Sequence, residues 1–237
     1  MLQAYWGFKT DVHAGLMEKI WAFRHQQFVE RLGWEEIRRA DSREIDEFDS
    51  EGAIHLPLLH GDEIVGYTRL LPTTEPHLLS DVYPELMDGR EWPRAANIYE
   101  WTRCISAKSA GPMQGVAASN LLMTAVVEFC LCAGIASLIV ETHPKLVSLL
   151  ISTGWTVMPL AAPTLFRGSL LVPIEARPSA KTLMTHHQVY GINGSLLHLS
   201  GGERHPFAPE QAIERLPYML DDHKDCTLEH RRLARVS

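Results

Sequence analysis

The chain has 237 residues, 46% hydrophobic and 22% charged, with a formal net charge of −7. That balance suits one large soluble domain, or one domain with an appendage. An acidic chain without a basic stripe argues against nucleic-acid binding. The first residues lack the basic region and apolar core of a secretion signal. No apolar run reaches the roughly 18 residues of a membrane span, so a cytoplasmic protein is expected. The four cysteines form no CxxC pair and read as reduced structural thiols. The twelve histidines are scattered, or adjacent as at His186 and His187, and give no metal-ligand spacing, so no metal is expected.

In chain order, residues 2–6 suggest a short strand, and Asp11 an N-cap for a helix reaching about residue 32. Ile20, Arg24, Phe28 and Leu32 recur every fourth position and share a face, widened by Trp21 and Phe23. Arg24 is thereby aimed inward, either snorkelling to water or serving a partner. Trp34 then leads into residues 43–49, of which five of seven are charged: Arg43, Glu44, Asp46, Glu47 and Asp49. Ile45 and Phe48, set among them, suggest a loop docked on the body. Residues 53–59 and 63–71 read as a β-hairpin turned at His60-Gly61-Asp62, with Arg69 in its second strand. A loop with a short helix at 81–87 follows.

Residues 98–105 read as a buried strand holding Glu100 and Arg103, charged groups that are rarely buried unless paired or used. Regular alternation would send the two to opposite faces, whereas a bulge would re-aim them, and bulges are common beside active sites. The Gly-rich stretch 106–116 opens a helix at 117–133 whose N–H groups suit a pyrophosphate or phosphopantetheine arm. A strand at 137–142, a helix from Pro144 to Gly154 and strands at 155–160 and 165–174 complete a mixed α/β pattern. Beyond Pro178 a short helix, a strand near 195–199 and a helix at 209–220 are expected. The chain divides into a catalytic domain over 1–200 and an appendage over 201–237.

Taken together, Arg24-x-x-x-Phe28 with Leu32-Gly33-Trp34, the run Arg43 to Asp49, Arg69-Leu70-Leu71-Pro72, Tyr83-Pro84-Glu85-Leu86 and Glu100-x-x-Arg103 resemble the acyl-homoserine-lactone synthases in order and spacing. Trp101, Thr102 and Cys104 depart from the small residues and phenylalanine usual around that strand. The resemblance implies a three-layer α-β-α sandwich, acetyltransferase-like (GNAT-like), whose mixed sheet splays into a V. It implies transfer of an acyl group from acyl-carrier protein or acyl-CoA to the amine of S-adenosylmethionine. Lactone closure then releases methylthioadenosine, and no further cofactor is needed.

On the same basis Glu100 is the candidate general base. A backbone N–H released by a bulge near Trp101 to Ile105 would meet the thioester oxygen. Glu44, Asp46 and Asp49 would hold the substrate amine or pair with Arg24, Arg69 and Arg103, a purely structural network being the alternative. Arg103 could instead clamp the methionyl carboxylate. Phe28 and Trp34 would enclose the adenosyl part and face the sulfonium. Trp101, Thr142, Met123, Val126 and Leu149 are the candidate acyl-pocket residues, with Trp101 either favouring a short, branched or aromatic chain or facing the opposite side of the sheet. An N-acyltransferase on another amine and a non-catalytic ligand-binding relative are the competing readings.

Overall fold

The computed structural model describes residues 2–8, 12 and 14–197. Asp11, the appendage at 201–237, its helix at 209–220 and the end of the strand near 195–199 lie outside the described residues. The described residues form two compact units, with β4, β5 and α3 each running from one into the other.

The first unit holds β1 (Leu2–Ala4), β2 (Gly7–Phe8), α1 (Ala14–Arg24), β3 (Ile54–His60) and most of β4 (Glu63–Pro72). β3 and β4 form the expected antiparallel hairpin, pairing Ile54 with Leu70 through His60 with Glu63, and β1 and β2 both lie along β3. Its core gathers Leu16, Met17, Ile20, Phe23 and Phe28 from the helix with Leu59, Tyr67 and Ile105.

After Arg24 the first helix continues as a π-helix over His25–Arg31, where Leu32 N–H bonds back to the Gln27 carbonyl five residues earlier. A π-turn is wider than an α-turn, so the four-residue repeat loses its phase there. Phe28 stays buried, but Leu32 stands 48% exposed, against the expectation that it shares the inner face.

The second unit holds α2 (Leu78–Asp81), a 3₁₀ turn at Pro84–Met87, the first part of β5 (Ile98–Ser106), most of α3 (Ala118–Ala133), β6 (Ser137–Thr142), α4 (Pro144–Ser152), β7 (Thr156–Pro159), β8 (Thr164–Phe166), β9 (Ser169–Arg177) and α5 (Ala180–Tyr190). β5 and β6 run parallel, while β6, β9 and β7 pair antiparallel, so the sheet is mixed as expected. The β5–β6 ladder runs from Ile98 opposite Ser137 to Glu100 opposite Ile139. β6 then continues to Thr142 against β9. The single strand expected over 165–174 is instead the β8–β9 hairpin. Arg167 and Gly168, both at positive φ (46° and 82°), make its two-residue turn, the conformation a tight hairpin needs at both central positions.

Cys104 and Cys130 are free thiols, but Cys132 is disulfide-bonded, which corrects the reading of all four cysteines as reduced. Spacing along the chain does not reveal a pairing made in space. No helix among the described residues is long and apolar enough to cross a membrane.

Candidate active site

In the first unit, α1, the acidic loop, β4 and the end of β5 bring three arginines onto three acids. Arg24, fully buried at the α-to-π junction, donates through Nε to Glu44 and through Nη1 to Asp49 Oδ1 at 2.7 Å. Arg69 donates to Asp46 Oδ1 and Oδ2 at 2.6 and 2.9 Å and to Asp49 Oδ1 at 2.7 Å. Arg103 Nη2 donates to Glu44 Oε1 at 3.1 Å and Asp46 Oδ2 at 2.9 Å.

Burial pushes each carboxyl up, but the guanidinium groups outweigh it. Arg24 and Arg103 hold Glu44 below the ordinary carboxylate range, Arg69 and Arg103 do the same for Asp46, and Arg24 and Arg69 hold Asp49 well below it. All six expected charged residues therefore meet, and the loop is docked as Ile45 and Phe48 suggested. Arg43 stands apart, paired with Asp41 and Glu18 over the Trp21 ring.

Phe28 and Trp34 pack at 5.0 Å between centroids. The cation over both rings is Arg103, its Cζ 5.4 and 5.7 Å from their centroids. Arg103 also has φ +55°, a left-handed residue inside a strand. This is the irregularity the sequence left open. It falls at Arg103 itself, and Glu100 and Arg103 keep different partners, as they would under regular alternation. A non-glycine residue holds such a conformation, at a cost of about 1–3 kcal/mol, only where its surroundings fix it. Glu44, Asp46 and the two rings do so here.

In the second unit Glu100 is fully buried. Its Oε2 accepts the Leu78 N–H at 2.8 Å and its Oε1 the Leu79 N–H at 2.6 Å, both from the first turn of α2. His77 Nδ1 lies 3.2 Å from Oε1. Glu141, which the sequence reading passed over, lies beside Glu100. Burial, then the charge of Glu100, raise its carboxyl well above the ordinary range. The clue was available: an acid closing an apolar strand, Leu138-Ile139-Val140-Glu141.

Of the candidate acyl-pocket residues, Trp101 is buried and stacks on Trp155, 5.6 Å between centroids and 19° between planes. Thr142 is half-buried at the end of β6, and Met123 and Val126 are buried in α3. Leu149 is 40% exposed, and α4 turns Leu150 inward.

Trp155 and His186 were also missed. Trp155 Nε1 donates to His186 Nε2 at 3.2 Å, and burial, then His187, push the His186 imidazole down to about 4. A buried neutral histidine binds fewer protons than the unfolded chain between about pH 4 and 6.5. Stability is therefore full above the unfolded value and declines as pH falls through that window. Melting temperature should drop between pH 7.5 and 5, and His186→Phe should flatten that slope.

The description of the autoinducer synthase family matches residues 9–172. The chain belongs to that family. This autoinducer synthase is 34% identical over 197 residues to the isovaleryl-homoserine lactone synthase of Bradyrhizobium diazoefficiens, covering 81% of this chain and 86% of that one. Its fold resembles that of a CoA-dependent acyl-homoserine lactone synthase, BjaI, solved with SAM and isopentyl-CoA. That match has a TM-score of 0.77 at 30% identity, over 91% of this chain and 99% of the other. A second CoA-dependent synthase, MesI, matches with a TM-score of 0.76 at 27% identity, over 84% and 100%. The autoinducer synthase is thus an acyl-homoserine-lactone synthase, an acyltransferase that makes a quorum-sensing signal.

Proposed function

We propose that the protein transfers a short branched acyl group from a CoA thioester to the amine of S-adenosylmethionine and then closes the lactone. The two relatives whose names specify an isovaleryl product and an isopentyl-CoA ligand support the donor class. The single observation that carries the chain-length reading is the Trp101–Trp155 stack, which adds a second large ring to the residue the resemblance places in the acyl pocket.

The substrate amine has a pKa near 8 and is largely protonated at neutral pH. Glu100, fixed by two backbone donors, takes its proton directly or through one water. As the C–N bond forms and the thioester C–S bond breaks, the second proton of the nitrogen passes to the departing thiolate, so CoA leaves as the thiol, and Glu100 returns the first proton to solvent. In the second step the methionyl carboxylate displaces methylthioadenosine, so the negative charge and the sulfonium disappear together and no proton moves.

The ionic cluster divides by exposure. Arg24, Glu44, Asp49 and Arg69 are wholly enclosed and hold the loop. Asp46 at 14% and Arg103 at 9% side-chain exposure stand at its rim. These two take the substrate: Asp46 the amine, Arg103 the carboxylate, with Phe28 and Trp34 against the adenosyl part and the sulfonium. Thr142, Met123 and Val126 contribute to the acyl side.

The test is an acyl-CoA and acyl-carrier-protein panel with S-adenosylmethionine, reading methylthioadenosine release. A branched five-carbon CoA donor is expected to give the highest kcat/KM. No methylthioadenosine with any donor would refute the lactone-forming reading and leave acylation of another amine. In the same panel Trp101→Ala should shift preference toward an eight-carbon donor by about tenfold or more, the scale of a few methylenes in an apolar pocket.

A further inference from the structure

Glu141 has no task in the reaction as assigned above, yet it is an acid in the interior strand β6. Its placement follows from register: Ile139 is the parallel neighbour of Glu100, and Glu141, two residues on, projects from the same face. Burial, then the Glu100 charge, raises the Glu141 carboxyl well above the ordinary range, so the two side chains interact on that face. Two carboxyl groups at one buried site do not both ionise. The Leu78 and Leu79 N–H groups point at Glu100, and Glu141 is the carboxyl that is raised.

The other Glu141 oxygen, Oε1, is buried with no hydrogen-bond partner among the described residues. Leaving a buried acceptor unsatisfied destabilises the fold. A purely structural role would be better filled by an apolar side chain of similar size, so the acid is retained for what it does to Glu100.

We propose that Glu141 is a positioning residue for the acylation step, donating its proton into a hydrogen bond that fixes the orientation of the Glu100 carboxylate alongside the Leu78 and Leu79 N–H groups. This rests on Glu100 being the base. His77 is a further titratable neighbour of Glu100 and approaches the oxygen that Leu79 also binds. Glu175, across β6 on β9, is engaged by Arg177 at 3.0 Å instead.

The experiment compares Glu141→Met, Glu141→Gln and Glu100→Gln in the full chain, reading CoA release for kcat and KM, and thermal melting for stability. Glu141→Met should lower kcat at least about tenfold, within the range a positioned base supplies. Its KM for each substrate should stay within about twofold and its melting temperature at or above wild type. Glu141→Gln, whose amide N–H still donates to Glu100, should stay within about threefold of the wild-type kcat. Wild-type kcat in Glu141→Met with Glu100→Gln inactive overturns this inference alone. Normal turnover in Glu100→Gln overturns the base assignment and this inference with it. A Met variant that does not fold, or a Gln variant as slow as Met, assigns Glu141 to the fold and overturns the proposal.

Discussion

Glu100→Gln should lower acylation of S-adenosylmethionine at least about a hundredfold while leaving the dissociation constants of both substrates within about threefold, since a positioned general base contributes about 10²–10⁴. Glutamine is nearly isosteric but cannot take the amine proton. Its carbonyl oxygen can still accept one of the two α2 N–H groups, and its NH₂ would face the other. Some loss of stability is therefore expected, on the order of the 1–3 kcal/mol for one orphaned buried donor. The measurement must separate the two effects. Single-turnover CoA release at saturating substrate, at a temperature where circular dichroism shows the variant fully folded, isolates the chemistry. A folded Glu100→Gln enzyme with normal turnover would remove Glu100 from the mechanism and leave it as the residue that docks α2.

The hairpin and the helix from Pro144 were legible because each is bounded by local signals: the His60-Gly61-Asp62 turn, a proline at a helix start, a glycine at its end; the strands at 137–142 and 98–105 were legible from their apolar runs. The meeting of Arg24, Arg69 and Arg103 with Glu44, Asp46 and Asp49 was legible too, since charges placed in apolar periodic runs must find partners when buried. What escaped was set by geometry that no short window contains. The π-turn after Arg24 moved Leu32 outward, and the left-handed Arg103 divided a strand whose sequence is uniformly strand-like. Glu141 acquired its place beside Glu100 through a parallel register between strands some forty residues apart. The Trp101–Trp155 stack likewise joins residues from separate elements, and the disulfide at Cys132 has no signature in cysteine spacing. The chemistry-bearing residues were readable one by one, whereas their pairing depended on register.

Arg24→Met should destabilise the protein by about 3–5 kcal/mol at pH 7, the cost of stranding buried charge by removing one partner. The variant keeps the length and much of the packing of the side chain but leaves Glu44 and Asp49 short of a cation. The cluster changes from three arginines against three acids to two against three. The pH dependence distinguishes this cause from lost packing. In the wild type these carboxyls are held below their unfolded values, so their stabilising contribution is present above the ordinary carboxylate range, about 3.9–4.3, and fades as pH falls through the lower folded values. In Arg24→Met that depression is largely lost, and protonation relieves the stranded charge. The gap between wild type and variant in urea midpoint should therefore be widest near pH 7 and narrow toward pH 4. Adding Glu44→Gln to Arg24→Met should recover part of the loss at pH 7, while Glu44→Gln alone should destabilise by leaving Arg24 with one fewer acid. A deficit that stayed constant from pH 7 to 4 and was not relieved by the second substitution would mean that Arg24 acts through packing on Tyr67 and that the ionic cluster does not hold the acidic loop.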